Sequence, residues 1–263
     1  MITNLAYEAL LKEVELTPKP GLVDKNNNGS HKDMDINTFY ASAKAIKPFI
    51  KRFLHVKEFT ELRAIGLECE KAMFKATKGA NTHKGMIFSL AVICGAIARA
   101  SGFENLQDEI KYLCCDLIKN DLEKSLHVDT NGEKFFAKTK HTGIRGEAQS
   151  GYATIFEKSL PFYEKNLVLQ GEDMALKMTL VYLMSFTNDS TVYARGGLDG
   201  LIFVKTEAKK ILYADNLDES LENLDKMMIE KNLSSGGSAD LLALTWFLHR
   251  LKLSYNFETS THQ

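Results

Sequence analysis

Asp33 and Asp35, in the stretch HKDMD at residues 31–35, stand two residues apart at the mouth of a predicted helix. On a regular helix that spacing points two side chains apart, but an extended segment lets them share one face. Mg2+ takes one or two carboxylates together with water and phosphate oxygens, so the pair is compatible with a nucleotide-metal site. It is equally compatible with ordinary acidity at a helix start, with Asp33 as the cap. The same loop, TPKPGLVDKNNNGSHKDMD at residues 17–35, also carries Lys19 and His31.

Four further polar, glycine-bearing islands each fall at a helix boundary. GANTHKG (79–85) puts Asn81, His83 and Lys84 at the start of an apolar helix. There His83 can act as donor or acid and Lys84 as a phosphate counterion, or the group can be a solvated cap. HTGIRGEAQSG (141–151) offers Arg145, suited to bidentate phosphate contact, and Glu147, suited to a metal or a ribose hydroxyl; a surface ion pair is the plainer reading. NDSTVYARGG (188–197) adds Asp189 and Arg195, with Gly196 and Gly197 expected to open the next helix. SSGGSAD (234–240) sets Gly236, Gly237 and Ser238 before a strongly apolar helix, where free N–H groups can receive a phosphate or simply be capped by Ser235 or Ser238.

The elements that must position these islands are helices. Apolar residues recur at helical spacing at Ile2, Leu5, Ala6, Ala9 and Leu10, at Leu62, Ile65, Cys69 and Met73, and at Leu198, Leu201, Ile202, Ala208 and Ile211. No comparable stretch alternates with the period of a strand. Residues 86–100 and 239–251 are apolar nearly all round, as helices surrounded by other helices are. Pro48 predicts a kink or an end near Lys47. The expectation is an all-α, single-domain bundle over residues 1–263, about nine or ten helices, with polar loops converging on a nucleotide cleft.

Composition narrows the partners. With 33 basic and 34 acidic side chains the chain has no broad attraction for nucleic acid or anionic membrane, so an anion must be bound locally. The longest uncharged run, residues 85–98, is shorter than the roughly 18 residues of a membrane span. The N-terminus lacks the apolar core of a signal peptide. The four cysteines show no CxxC spacing and read as reduced, buried thiols. A soluble cytoplasmic protein is expected.

Taken together, TPKPGLVDKNNNGSHKDMD, NTHKG with the following IFSL, GIRGEAQSGY and LSSGGSADLLA resemble the signature blocks of the triphosphoribosyl-dephospho-CoA synthase family. The resemblance runs from the first helix to the last. Two departures, Ser235 in place of a proline before the glycine pair and SGYATI in place of a proline-bearing version, remove no charged group. The resemblance implies transfer of the triphosphoribosyl group of ATP to the 2'-hydroxyl of 3'-dephospho-CoA, with release of adenine, to make the prosthetic-group precursor of citrate lyase. Its product would be passed to a separate carrier-protein transferase, and a related synthase serves malonate decarboxylase.

Such a reaction breaks a ribose–adenine bond with oxocarbenium-like charge, which calls for a carboxylate near the sugar, a donor toward adenine and a base toward the attacking hydroxyl. On that reading Asp33, Asp35 and Glu147 are the expected Mg2+ ligands, with Asp35 and Glu147 also candidates for the sugar or the base. His83 is the candidate acid. Lys19, His31, Asn81, Lys84, Arg145 and Arg195, with Gly236, Gly237 and Ser238, are candidates for the nucleotide and its phosphates. The alternatives are a metal-dependent helical phosphohydrolase and a nonenzymatic nucleotide sensor. The lack of a P-loop or kinase-type glycine loop favours glycosyl transfer over phosphoryl transfer.

Overall fold

The helical period is realised throughout, with no strand among the described residues, which in this computed structural model are 1–124 and 128–260, with side chains through 255. Twelve α-helices follow one another among them: α1 (Ile2–Glu15), α2 (Ile36–Phe53), α3 (Phe59–Ala76), α4 (Lys84–Ile97), α5 (Leu106–Leu113), α6 (Asn131–Thr139), α7 (Gly143–Gln149), α8 (Leu160–Gln170), α9 (Glu172–Phe186), α10 (Ser190–Ile211), α11 (Leu217–Glu230) and α12 (Gly236–Ser260). π-helical turns at Lys119–Glu123 and Thr154–Ser159 lie between them. The two or three helices beyond the expected nine or ten include the short α6 and α7, whose glycine-bearing sequences carry too short an apolar stripe to register as helices.

α4 and α12 occupy the centre, as their all-round hydrophobicity requires. From Met86 to Ile97 every α4 residue except Phe88 is buried, and α12 buries Leu241, Leu242, Leu244, Trp246, Phe247, Leu248 and Leu251. Each such side chain contributes roughly 1.5–3 kcal/mol through removal from water. α1 packs on α12 and α2, α3 on α2 and α4, and α9 on α8, α10 and α12. No helix among the described residues is long and apolar enough to cross a membrane.

Local expectations are refined at three places. α2 does not end near Lys47 but runs through Pro48 to Phe53; Pro48 and Lys44, whose carbonyl loses its donor, both lie on the exposed face, where solvent can satisfy the lost bond. The glycine pair does precede a helix, since Gly197 at φ 62° breaks α10 into two helical segments, but a further segment that begins at Ser190 comes before it. Beyond that break the buried stripe is Leu201, Val204, Ala208 and Ile211, which leaves Leu198 and Ile202 on the outside. Cys69, Cys94 and Cys114 are buried, with burial pushing each thiol up to about 12, but Cys115 is exposed.

Candidate active site

The loop between α1 and α2 folds inward. Asp24 turns it by accepting N–H bonds from Lys19 (2.9 Å), Asn26 (2.7 Å) and Asn27 (3.0 Å). Asp225 of α11 anchors it by accepting from the Gly21 N–H and the Asn27 amide, both at 2.8 Å. Gly21 has φ 68°, and a Cβ there would collide with the Leu233 carbonyl, so the sequence needs glycine at this crossing. Ser30 donates to the Leu233 carbonyl at 2.6 Å, and the Arg195 guanidinium donates to the Ser30 carbonyl at 2.8 Å. The loop is thereby fixed to α10, α11 and the start of α12.

Arg195 also decides the state of His31. A guanidinium only donates, so its contact with His31 Nδ1 at 3.2 Å places the ring proton on Nε2, which donates to Ser234 Oγ at 2.9 Å. Burial, with the Arg195 charge second, lowers the His31 pKa to about 4. His31 is thus a neutral hydrogen-bonding group at neutral pH rather than a phosphate counterion.

Lys19, only 1% exposed, carries the loop's charge into the interior, where its ammonium pairs with the Glu13 carboxylate and donates to the Glu13 carbonyl at 2.9 Å. His83, the residue before α4, lies within electrostatic reach of that ammonium; burial first and Lys19 second lower its pKa to about 3. The Thr82 hydroxyl donates to Ser42 Oγ, which sits 2.7 Å from His83 Nδ1. The Ser42 proton therefore faces Nδ1, and the neutral ring keeps its own proton on Nε2. That buried Nε2 has no partner among the described residues.

α10 and α12 bring their N-termini to the same place through Asp189. One carboxylate oxygen caps α10 by accepting from Thr191 N (2.8 Å) and Val192 N (3.3 Å), and the other accepts from Ser238 N (2.8 Å) and Ser238 Oγ (3.2 Å). Gly237 permits this approach, since a Cβ there would stand 3.1 Å from the carboxylate. Part of the donor set at the start of α12 is thus taken by Asp189, with Gly236 and Gly237 left to offer their N–H groups.

One turn further along α12 is Asp240, which the sequence reading passed over although it closes the SSGGSAD island. Its Oδ2 lies over Gly85 of α4, and Glu13, Asp189 and Tyr152 lie within electrostatic reach. Burial holds its carboxyl well above the usual carboxylate range, and the Glu13 and Asp189 charges raise it further. Among the described residues no donor reaches its side chain. It is poorly solvated yet keeps part of its surface open. The available sequence signal was a carboxylate in the first turn of an otherwise apolar helix.

Gly85 is the position where this contact can be tested. Gly→Ala inside a helix ordinarily stabilises by about 1 kcal/mol. Here the new Cβ would fall on Asp240 Oδ2. Gly85→Ala is therefore expected to forfeit that gain, because Asp240 must be displaced, leaving the melting temperature unchanged or lower, and a rise by the full helix gain would refute the packing described.

The other sequence candidates lie outside this centre or have local partners. Asp35 caps α2 in a reciprocal box with Thr38, accepting from Thr38 N at 2.8 Å, and those bonds lower its pKa. Asp33 is exposed and 4.0 Å from His31. Glu147 accepts from Thr154 Oγ1 at 2.7 Å and leaves its other oxygen unpaired, and burial raises its pKa. Arg145 is held by Glu133 (3.0 Å) and Asp121 (3.3 Å), and Lys84 by Glu70 (3.2 Å). The Asn81 side chain accepts from Lys84 N at 3.4 Å. Among the described residues no three His, Cys, Asp or Glu side chains gather into a metal-binding group, so Asp33, Asp35 and Glu147 form no such set.

Residues 1–259 match the family described as ATP:dephospho-CoA triphosphoribosyl transferase. The chain is similar to a protein of Vibrio cholerae serotype O1 (strain M66-2) named "Probable 2-(5''-triphosphoribosyl)-3'-dephosphocoenzyme-A synthase", at 42% identity over 95% of this chain and 88% of the relative. The 2-(5''-triphosphoribosyl)-3'-dephosphocoenzyme-A synthases of Pectobacterium atrosepticum and Escherichia fergusonii are 42% and 40% identical, each over 94% of this chain and over 88% and 89% of their own lengths. No solved structure matches. The blocks that meet around Lys19, His83, Asp189 and Asp240 thus lie within a match that extends along nearly the whole sequence, and the chain belongs to the ATP:dephospho-CoA triphosphoribosyl transferase family.

Proposed function

We propose that this chain transfers the triphosphoribosyl group of ATP to the 2'-hydroxyl of 3'-dephospho-CoA, releasing adenine, at the polar centre where α1, α4, α10 and α12 meet. The carrying observation is that Lys19, His83, Asp189 and Asp240, from four separate blocks of the chain, occupy one electrostatically connected centre. Family membership supplies the reaction.

Each part of the centre has a task in that reaction. Arg195, which His31 helps to position, and the Gly236 and Gly237 N–H groups face the phosphates: one cation and backbone dipoles hold a triphosphate without activating its phosphorus atoms. Lys19, compensated by Glu13, sets a positive potential deeper in the site. The His83 Nε2–H, buried without an acceptor, donates to an oxygen of the sugar or to the base. Glu147, with one unpaired oxygen, is a candidate to accept the hydroxyl proton.

Mg2+ arriving with the triphosphate would neutralise phosphate charge. Such an ion needs only one or two protein carboxylates, a demand that exposed Asp33, beside the His31 and Arg195 pair, can meet. Asp35, tied to Thr38, is a lesser contributor, and Arg145 and Lys84 would have to exchange their carboxylate partners to reach a phosphate. The product would pass, in the cytoplasm, to a separate transferase that loads the carrier protein of citrate lyase, with malonate decarboxylase the alternative client.

Purified protein with ATP, dephospho-CoA and Mg2+, followed by mass-resolved chromatography, is expected to give free adenine and the combined product in equal amounts. Adenine should appear only when dephospho-CoA is present. ADP, AMP or phosphate without adenine would overturn this reading.

A further inference from the structure

Adenine is a poor leaving group unless a proton reaches it as the bond to the sugar breaks. His83 does not supply that proton well: its ring is neutral at neutral pH, and its Nε2–H is a hydrogen-bond donor of low acidity. The other carboxyl groups of this centre and of its loop are mostly committed. Glu13 is paired with Lys19, Asp189 accepts four bonds at two helix starts, and Asp24 and Asp225 fold the loop. Asp240 is the exception. No donor among the described residues reaches it, it packs on Gly85 two residues beyond His83, and two carboxylates flank it. A second observation marks the same spot as incomplete: His83, 3% exposed, keeps a buried Nε2 without a partner on the turn of α4 that Asp240 touches.

Resting on the transfer reading above, we propose that Asp240, as a carboxylic acid, is the catalytic residue that protonates the departing adenine. The bond between C1' of the ATP ribose and N9 of adenine breaks, and its electron pair passes to the purine. The proton moves from the Asp240 carboxyl to a purine ring nitrogen. The 2'-hydroxyl oxygen of dephospho-CoA bonds to C1' and its proton passes to the Glu147 carboxylate and from there to water, while a proton from water restores Asp240, so none is gained or lost overall. The flanking Glu13 and Asp189 charges favour the protonated form of Asp240 and let it reload between turnovers.

The test compares ATP with 7-methyl-ATP, whose purine is already cationic and leaves without a proton, in wild type and Asp240→Asn, each corrected for spontaneous release. With ATP, Asp240→Asn is expected to lose about 10²–10⁴-fold in kcat with KM values held within about threefold. With 7-methyl-ATP the loss should shrink to within about tenfold, a recovery that a merely structural role would not produce. An equal loss on both substrates, or full activity of the variant on ATP, overturns the assignment. If Asp240→Asn does not fold, the wild-type pH profile decides. kcat should fall on the alkaline side with ATP and not with 7-methyl-ATP, and the same alkaline fall for both overturns it. Wild type that releases no adenine from ATP overturns the transfer reading itself, an outcome distinct from failure of Asp240 alone.

Discussion

Lys19→Met should cost the fold about 3–5 kcal/mol, a large share of the stability of any single domain. Lys19 and Glu13 are 1% and 7% exposed, so neither charge is compensated by water, and each is compensated by the other. Removing the ammonium strands a carboxylate in the interior beside Asp240, a neighbour that also resists a negative charge. The Glu13 carbonyl loses a donor in the same step. Glu13→Met combined with Lys19→Met should recover most of the loss, because two apolar side chains of similar size need no pairing. Urea unfolding of the two single variants and the double variant measures both. A Lys19→Met loss below about 1 kcal/mol would place the pair in solvent and refute its burial. The double variant should nevertheless remain poorly active, since the positive potential next to His83 would be gone.

Glu13 shows why part of this site was not legible. In MITNLAYEALLKEVEL it reads as one more charged residue on an amphipathic helix, although it continues the buried stripe of Ala6, Ala9 and Leu10, and only the folding back of the loop brings Lys19 to meet it. Asp225 was equally silent, because its ligands, the Gly21 N–H and the Asn27 amide, lie about two hundred residues away. What could be read was local. Hydrophobicity on all sides placed α4 and α12 at the centre, and glycines beside polar residues marked the loops that converge there. The Asp35–Thr38 cap was also written locally, in DINT, although the extended-pair reading directed attention to Asp33. Arg145 misleads in the opposite direction. Its glycine-rich setting suggests a ligand, while Glu133 and Asp121, brought in by α6 and the π-helical turn, occupy it. Residue type and block identity locate the site, and tertiary pairing decides which charges in it remain free.

His83→Gln should change the acid stability of the protein with a sign that can be fixed in advance. The ordinary imidazole pKa of 6.5 is lowered to about 3 in the folded chain, so the unfolded chain binds the extra proton first. The stability that neutral His83 permits is complete above pH 6.5 and is lost as pH falls towards the folded value. Over that interval of about 3.5 pH units, at about 1.4 kcal/mol per unit, the loss approaches 5 kcal/mol. His31 acts in the same direction over a shorter interval, ending at about 4. Asp240, Asp189, Glu147 and Asp225 act oppositely, because their raised values let the folded state take up protons first on acidification. The net wild-type curve is therefore a poor witness, but the difference between wild type and His83→Gln isolates one group. At pH 7 the variant should be the less stable, having disturbed the contact with Ser42. By pH 4.5 that deficit should have shrunk by about 2.5 kcal/mol, measured as unfolding free energy in urea at each pH, and a constant deficit would contradict the neutral, buried ring. The same neutrality has a consequence for catalysis. A ring that stays uncharged down to about pH 3 presents its Nε2–H unchanged across the physiological range, so any pH limb in turnover above pH 5 must come from another group, and among those nearby Asp240 is the carboxyl left without a donor.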